Sequence, residues 1–391
     1  MASSVTMLAW GLVEYRDAYE LAGELQNGLD CIKWPLDYFI KAHVADNKFY
    51  GQVGLGETDH DYWGRPEDMT MGRPASLLDE AHGGSEVAAE TAAAMAAASI
   101  AFRPTDSAYA DPLLQHARQL YDFGYNVREI YHHKISDAED FYPSTSYNDE
   151  LAWGAMWLHR ATNDTDYLRK AEEFLSSDDV AYAMSWDDKD VGAQLLYYIA
   201  TGDQAYQNIV ERFLQNWFPG GDIPYTKKGL AFRAKWGSLR YSANTALVAL
   251  VAADYGILPD EGRDFAQSQI DYMMGSSGRS FIVGYGQNPP VQPHHAAASC
   301  PSSPAECGWS QFEADAPNPH VLYGAMVGGP TDTDDTYVDK RSDSVGNEVT
   351  TDYNAGLQSS VAGRCPFCCH LGTFLHELVS HIYRFKLASA S

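Results

Sequence analysis

Two heptapeptides, Ala161-Thr-Asn-Asp-Thr-Asp-Tyr167 and Ala200-Thr-Gly-Asp-Gln-Ala-Tyr206, decide the fold. Each lies between two stretches of helical periodicity and places Thr and Asp where a helix N-cap is wanted, and the second follows the first by 39 residues. Phe102-Arg-Pro-Thr-Asp-Ser-Ala-Tyr109 resembles both. A repeat of about 40 residues in a helical chain means stacked αα-hairpins, arranged as an open solenoid or a closed ring. Outward from the repeat, apolar spacing predicts helices over 5–15, 86–102, 112–125, 148–161, 167–176, 190–199, 204–217, 239–255, 261–274, 349–361 and 372–383. Segments 86–102 and 239–255 are apolar around their circumference, as inner helices of a ring must be. Segments 167–176 and 204–217 carry Arg, Lys and Glu at exposed spacing, as outer helices should. The alternation predicts an all-α fold built as a closed α/α toroid.

Composition narrows the function. With 53 acidic against 27 basic residues the formal charge is −26, which repels phosphate backbones and anionic membranes, so nucleic acid is excluded as the main partner. Hydrophobic residues at 45% and aromatics at 13% describe a core-rich globule. No run is long and apolar enough to cross a bilayer, and the expectation is a soluble monomer without a membrane partner. The opening twenty residues, MASSVTMLAWGLVEYRDAYE, lack a basic start and a small-residue cleavage site, so the chain as written carries no export signal. Cys300 and Cys307 are spaced to close a small bridge in a Pro/Ser-rich loop. Cys365, Cys368, Cys369 and His370 look like a metal knuckle, but no second ligand pair matches them, which favours buried or paired thiols.

The long loops 45–84 and 276–347 hold the residues a helical ring has no use for. The run Asp59-His60-Asp61-Tyr62-Trp63-Gly64-Arg65-Pro66-Glu67-Asp68 mixes aromatic and hydrogen-bonding groups. That mixture suits a sugar, whose C–H face packs on an aromatic ring and whose hydroxyl rim needs Arg and carboxylate. A Trp-anchored loop with an internal Arg–Glu pair explains the same composition. A second cluster ends in His294 and His295, placed for hydrogen bonding to a ligand or for loop packing. A third, Tyr337 to Ala355, brings many acids to a helix start, where capping accounts for Asp343 and Asp352 and where Glu348 is free to serve as a proton donor.

In this order the clusters resemble glycoside hydrolase family 9, the inverting endo-β-1,4-glucanases or cellulases, across essentially the whole chain. The residues carrying the resemblance are Ser280-Phe-Ile-Val-Gly-Tyr-Gly-Gln-Asn-Pro-Pro-Val-Gln-Pro-His294 and the Asn347-Glu-Val…Asp352-Tyr-Asn-Ala-Gly356 signature. Tyr62 to Met69, Gly84 to Ala94, Tyr147 to Leu151, Trp186 to Lys189 and Trp236 to Asn244 support them. The resemblance implies an (α/α)6 toroid, a six-hairpin barrel forming one catalytic domain over 1–391. It implies hydrolysis of internal β-1,4-glucosidic bonds in cellulose or a related glucan, outside the cell. Catalytic duty would fall on Asp339 and Glu348, with Glu348 the general acid. His60, Trp63, Trp186, Trp236, Arg240, His294 and Tyr353 would line the substrate cleft. A structural Ca²⁺ would be held by Thr145, Ser146, Asp149, Glu150 and Asp190.

Four departures from the family pattern qualify these expectations. The family's Asp-Ala-Gly-Asp motif, whose carboxylates activate water, does not occur in the sequence. It would precede Met1-Ala2-Ser3, so the barrel is expected to lack its first helix and to expose an apolar face. The Arg expected after the two histidines is Ala296, the aromatic expected before Glu348 is Ser344, and Ser144 and Ser146 replace Trp and Gly ahead of Tyr147. Together they raise the alternative of a glucan-binding pseudoenzyme or a truncated gene product.

Overall fold

A computed structural model describes residues 1–364; the predicted 372–383 helix and the cluster at Cys365, Cys368, Cys369 and His370 lie outside the described residues. Six helices form an inner layer: Ala2–Glu14, Ser85–Phe102, Asn148–Thr162, Asp190–Thr201, Ser238–Asp254 and Thr351–Gly363. Each touches the next, and the last touches the first, so the ring closes. Helices Leu25–Ala42, Ser107–Asn126, Asp166–Glu172, Gln204–Trp217 and Pro259–Asp271 each pack outside the inner helix that precedes them. The architecture is an all-α toroid.

Local sequence explains which layer each helix joins. Ser85–Phe102 is alanine-rich and buried at nearly every position, because small side chains let it be surrounded. Gln204–Trp217 buries only Ile209, Val210, Phe213, Leu214 and Trp217, a single stripe turned to the ring. Glycines set the tightest inner crossings. A Cβ on Gly11 would stand 2.6 Å from the Ser359 Cβ, and one on Gly356 would stand 2.8 Å from the Asn244 main-chain nitrogen. Hydroxyls bridge these crossings, with Ser359 Oγ donating to the Met7 carbonyl at 2.9 Å and Ser360 Oγ to that of Ala243 at 3.0 Å. Trp10 meets Trp153 and Trp157 edge-on at 5.3 and 6.2 Å, filling the space between helices.

Among the described residues five outer helices accompany six inner ones, and Ala2–Glu14 takes an inner place with Ser3 to Leu12 buried. Two expectations are corrected. The Leu25–Ala42 helix was not expected, since Gly28 and Pro35 interrupt its pattern; its buried Leu29, Ile32, Leu36 and Phe39 nevertheless keep helical spacing. The 45–84 loop is not wholly irregular. Strands β1 (His43–Ala45), β2 (Lys48–Val53) and β3 (Ala75–Leu78) form an antiparallel sheet in that order, with Phe49 opposite Leu78. The sheet projects from the ring and presents the 54–74 segment.

Candidate active site

Glu348 is half-buried and extended, in the short step between the Ser344–Asn347 turn and the Thr351–Gly363 helix. Asp343 caps the turn, accepting from the amides of Val345 and Gly346, and Thr350 caps the helix, accepting from that of Tyr353. The capping expected of Asp343 is present, whereas Asp352 turns to an arginine. Glu348 Oε2 accepts from Trp236 Nε1 at 3.3 Å and from the Tyr353 hydroxyl at 3.0 Å. Among the described residues no hydrogen bond falls on Oε1. Burial, and then the Glu348 charge, push the Tyr353 phenol far above its ordinary range, so it remains a neutral donor.

Arg240, in the first turn of Ser238–Asp254, binds Asp352 Oδ2 at 2.8 Å and the Tyr241 hydroxyl at 3.0 Å, with its cation 5.4 Å from the Tyr353 ring. His294 pairs with the Glu348 strand, its amide donating to the Asn347 carbonyl at 2.8 Å. Its Nδ1 lies 2.6 Å from the Arg341 carbonyl, which can only accept. Nδ1 therefore carries a hydrogen and donates it to that carbonyl, which leaves Nε2 for another partner. Buried Arg341 fixes this loop by donating to Asn318 Oδ1 and to the carbonyls of Gln311, Ala314 and Ala316. The neighbouring His295 caps Ala296–Ser299 through Nδ1, and burial lowers its pKa to about 4, so it is neutral. Cys300–Cys307 is bridged, as the spacing suggested.

The aromatic residues divide into platforms and supports. Trp236 is 49% exposed and Trp186 half-buried, both with ring surface to offer. Trp63 is only 8% exposed, with Nε1 bonded to Ser299 Oγ at 2.9 Å and its ring wedged among His294, Trp309 and Phe312. It supports the wall that Trp309, 50% exposed, presents. His60 stacks on Phe141 at 4.5 Å, with Nδ1 2.7 Å from the Gly56 carbonyl. Sequence reasoning missed Trp309, Phe312, Phe141 and Tyr142, none of which falls within the motifs; an aromatic residue in an irregular segment was their one signal.

Asp339 ties two segments of the site together. Its Oδ2 accepts from the Val291 amide at 2.8 Å, and its Oδ1 from the Gln292 amide at 3.0 Å and from Asn347 Nδ2 at 3.3 Å. Both oxygens are committed to tying the His294 loop to the Glu348 turn, so its geometry is that of a positioning group.

The residues expected to hold calcium surround the start of Asp190–Thr201. Thr145 donates its amide and hydroxyl to Asp187, and Ser146 Oγ accepts from the Asn148 amide. Asp149 Oδ2 accepts from the Lys189 amide at 2.8 Å. The fully buried Lys189 ammonium lies 3.5 Å from both Glu90 and Glu150 and donates to the Trp186 carbonyl at 2.7 Å. Burial followed by neighbouring carboxylates raises Asp188 to about 6 and Asp190 to about 7 and raises Glu150 as well, while burial raises Asp149 against the pull of Lys189. Glu150 Oε2 is buried without a partner. Among the described residues no three His, Cys, Asp or Glu side chains already form a metal-holding group, so main-chain oxygens must complete any such set.

A family profile described as Glycosyl hydrolase family 9 matches residues 1–361. The chain belongs to glycosyl hydrolase family 9. The chain is 43% identical over 383 residues to Endoglucanase B of Cellulomonas fimi, covering 93% of the chain and 36% of that protein. It is 45% identical over 381 residues to Endoglucanase A of Bacillus pumilus, covering 93% of the chain and 56% of that protein. The chain thus spans about half the length of such relatives. An endoglucanase structure from the termite Nasutitermes takasagoensis superposes with a TM-score of 0.90 at 50% identity, covering 93% of this chain and 84% of that one. Endoglucanase CelQ of Clostridium thermocellum, complexed with cellotetraose, superposes at 0.82 with 35% identity, covering 93% and 61%. These neighbours share the toroid of this chain.

Proposed function

We propose that the protein cleaves internal β-1,4-glucosidic bonds of cellulose or a related glucan by single displacement with inversion. The observation that carries this reading is the Glu348 carboxyl, held on one oxygen by Trp236 and Tyr353 beside exposed indole surface. Trp186 and Trp236 stack sugar rings, and Arg240 and His294 Nε2 meet hydroxyls. Glu348 protonates the leaving glycosidic oxygen while water attacks the opposite face. That attack requires a carboxylate ~6.5–9.5 Å from the acid. A second reading, glucan binding without turnover, is separated from the first by whether reducing ends are released.

The test is to incubate the protein with a soluble β-1,4-glucan and follow reducing ends and the anomeric form of the first product. The expected result is release of medium-length fragments with inverted configuration. Binding of cello-oligosaccharides without release of reducing ends would establish the second reading, and absence of binding would overturn both.

Calcium is the proposed structural cofactor. All-oxygen donors, crowded carboxylates and the unpartnered Glu150 Oε2 fit a hard dication, with Asp149, Glu150 and Asp190 supplying charge and the Thr145 and Ser146 carbonyls the remaining donors. When bound, the ion neutralises this acidic turn. The Cys300–Cys307 disulfide supports an oxidising, extracellular working place, and no helix among the described residues is long and apolar enough to cross a membrane.

A further inference from the structure

The heptapeptide Ala161 to Tyr167 holds a pattern that its part in the fold leaves unused. Asn163-Asp164-Thr165 is the one place in the 391 residues where Asn is followed two positions on by Ser or Thr with no Pro between them. That is the acceptor pattern for an N-linked oligosaccharide. We propose that Asn163 carries an N-linked glycan, taken from a lipid diphosphate-linked oligosaccharide as the chain is exported. The inference rests on the extracellular working place proposed for the protein, since that donor is met on the export route.

The turn presents Asn163 and leaves its side chain uncommitted. Asn163 follows the Asn148–Thr162 helix in the left-handed region, at φ 57°, with its main-chain amide donating to the His159 carbonyl at 2.7 Å. In the companion heptapeptide the same position is Gly202, at φ 72°, and glycine enters that region without the Cβ crowding that Asn meets. Polar groups beside Asn163 are occupied within the turn. Thr162 Oγ1 accepts from the Asp164 amide at 3.1 Å, Asp164 Oδ1 accepts from the Asp166 amide at 3.0 Å, and the Asp164 carbonyl lies 3.0 Å from His159 Nδ1. Among the described residues no hydrogen bond falls on the Asn163 side chain or the Thr165 hydroxyl, and both residues are exposed.

Position in the ring decides what a glycan there obstructs. The inner helices run the same way, so that Ser4 meets Thr351 at one end, while at the other Arg160 bonds to Glu14 and a Cβ on Gly363 would stand 2.6 Å from the Tyr15 ring. Arg240 and Tyr353 stand in first turns, at the end that carries Glu348, whereas Asn163 follows a last turn. Between the two ends, Asn148–Thr162 spans about 22 Å at a helical rise of about 1.5 Å per residue. A glycan on Asn163 therefore leaves the molecule on the face away from the cleft, where it covers the turn and leaves a glucan chain free to bind.

The transfer step balances with that donor. A bond forms between Asn163 Nδ2 and the anomeric carbon of the first sugar, the bond from that carbon to the lipid diphosphate breaks, and the diphosphate leaves with the electron pair. The side-chain amide gives up one proton to a base of the transferring enzyme. Thr165 supplies the hydroxyl that completes the acceptor pattern. Exposed polar loop tips are where proteolytic nicking concentrates, so the glycan shields the 163–166 turn.

The experiment is a peptide digest, read by mass spectrometry, of the whole protein as its own cells make it. Free thiols are alkylated first, and part of the sample is treated with a peptide-N-glycosidase. The expected result is a bridged Cys300–Cys307 peptide and an Asn163 peptide heavier by one oligosaccharide, which the glycosidase removes to leave a carboxylate at that position. A bridged protein with a bare Asn163 amide would overturn the proposal and leave the extracellular reading standing. Alkylated Cys300 and Cys307 together with a bare Asn163 would remove the extracellular reading and the inference with it. The Thr165→Ala variant, made in the same cells, keeps Asn163 and should lose the glycan. It should be cut several-fold faster at the 163–166 turn by added protease, with its affinity for a cello-oligosaccharide unchanged. A glycan that persists at Asn163 in the variant, or an affinity that changes when the glycan is lost, would overturn the assignment.

Discussion

The Glu348 carboxyl carries the proposed chemistry, and its neighbours define what a substitution there does. Glu348→Gln keeps the shape and the acceptor for Trp236 and Tyr353 but removes the proton. Turnover on unactivated glucans should fall by about 10²–10⁴-fold, while titration shows cello-oligosaccharide affinity largely retained; unchanged turnover would show the acid is elsewhere. Arg341 is the other decisive residue. Four hydrogen bonds from its guanidinium hold the loop whose carbonyl orients His294. Arg341→Met strands the buried Asn318 Oδ1, at about 1–3 kcal/mol, and removes three part-buried bonds to the carbonyls of Gln311, Ala314 and Ala316. Urea unfolding should register a loss of at least about 1–3 kcal/mol, and ligand affinity should fall with it. A variant of native stability would mean that solvent reaches those carbonyls.

The turn before Asp190–Thr201 is the element whose behaviour should depend most on pH. Glu86 and Asp190 are raised to about 7 and Asp188 to about 6, in each case by burial first and carboxylate neighbours second. Carboxyls of the unfolded chain titrate near pH 4. Between those values the folded state holds more protons than the unfolded, so this turn contributes less stability as pH rises from about 4 to about 7. Asp137 acts in the opposite sense, but only as pH falls below the ordinary carboxylate range. Calcium would offset the loss at neutral pH, when the carboxylates are ionised. A chelator should therefore lower Tm clearly at pH 7.5 and hardly at pH 5, by scanning calorimetry. Equal curves with and without chelator at pH 7.5 would show that the serine-substituted turn holds no ion. The same element carries Trp186 on the Lys189 ammonium, which links an unused buried cluster to the stacking surface.

At the scale of the molecule, the ring closes through contacts too tight for side chains. Gly11→Val should drive the Ala2–Glu14 helix off Ser359, costing roughly 1–3 kcal/mol or more as overpacking, seen as a fall in Tm of several degrees. An unchanged Tm would mean that the two helices separate freely and that ring closure contributes little.

Alternation of fully apolar and one-sided helices, with a repeat of 39 residues, was enough to predict the toroid, because helix burial depends on local periodicity. Glu348, Trp236 and the Cys300–Cys307 bridge were legible for a similar reason, since each sits in a motif or spacing with a direct chemical reading. The sequence could not tell that Trp63 is a support and Trp309 a face, since both are tryptophans in loops and only packing separates them. Nor could it show what Asp339 holds, because its partners include two main-chain amides 47 and 48 residues away. The sequence by itself determined the layers of the ring and singled out Glu348. Tertiary structure alone decided which polar groups face substrate and which hold the loops, because hydrogen bonds between segments distant in sequence leave no periodicity to read.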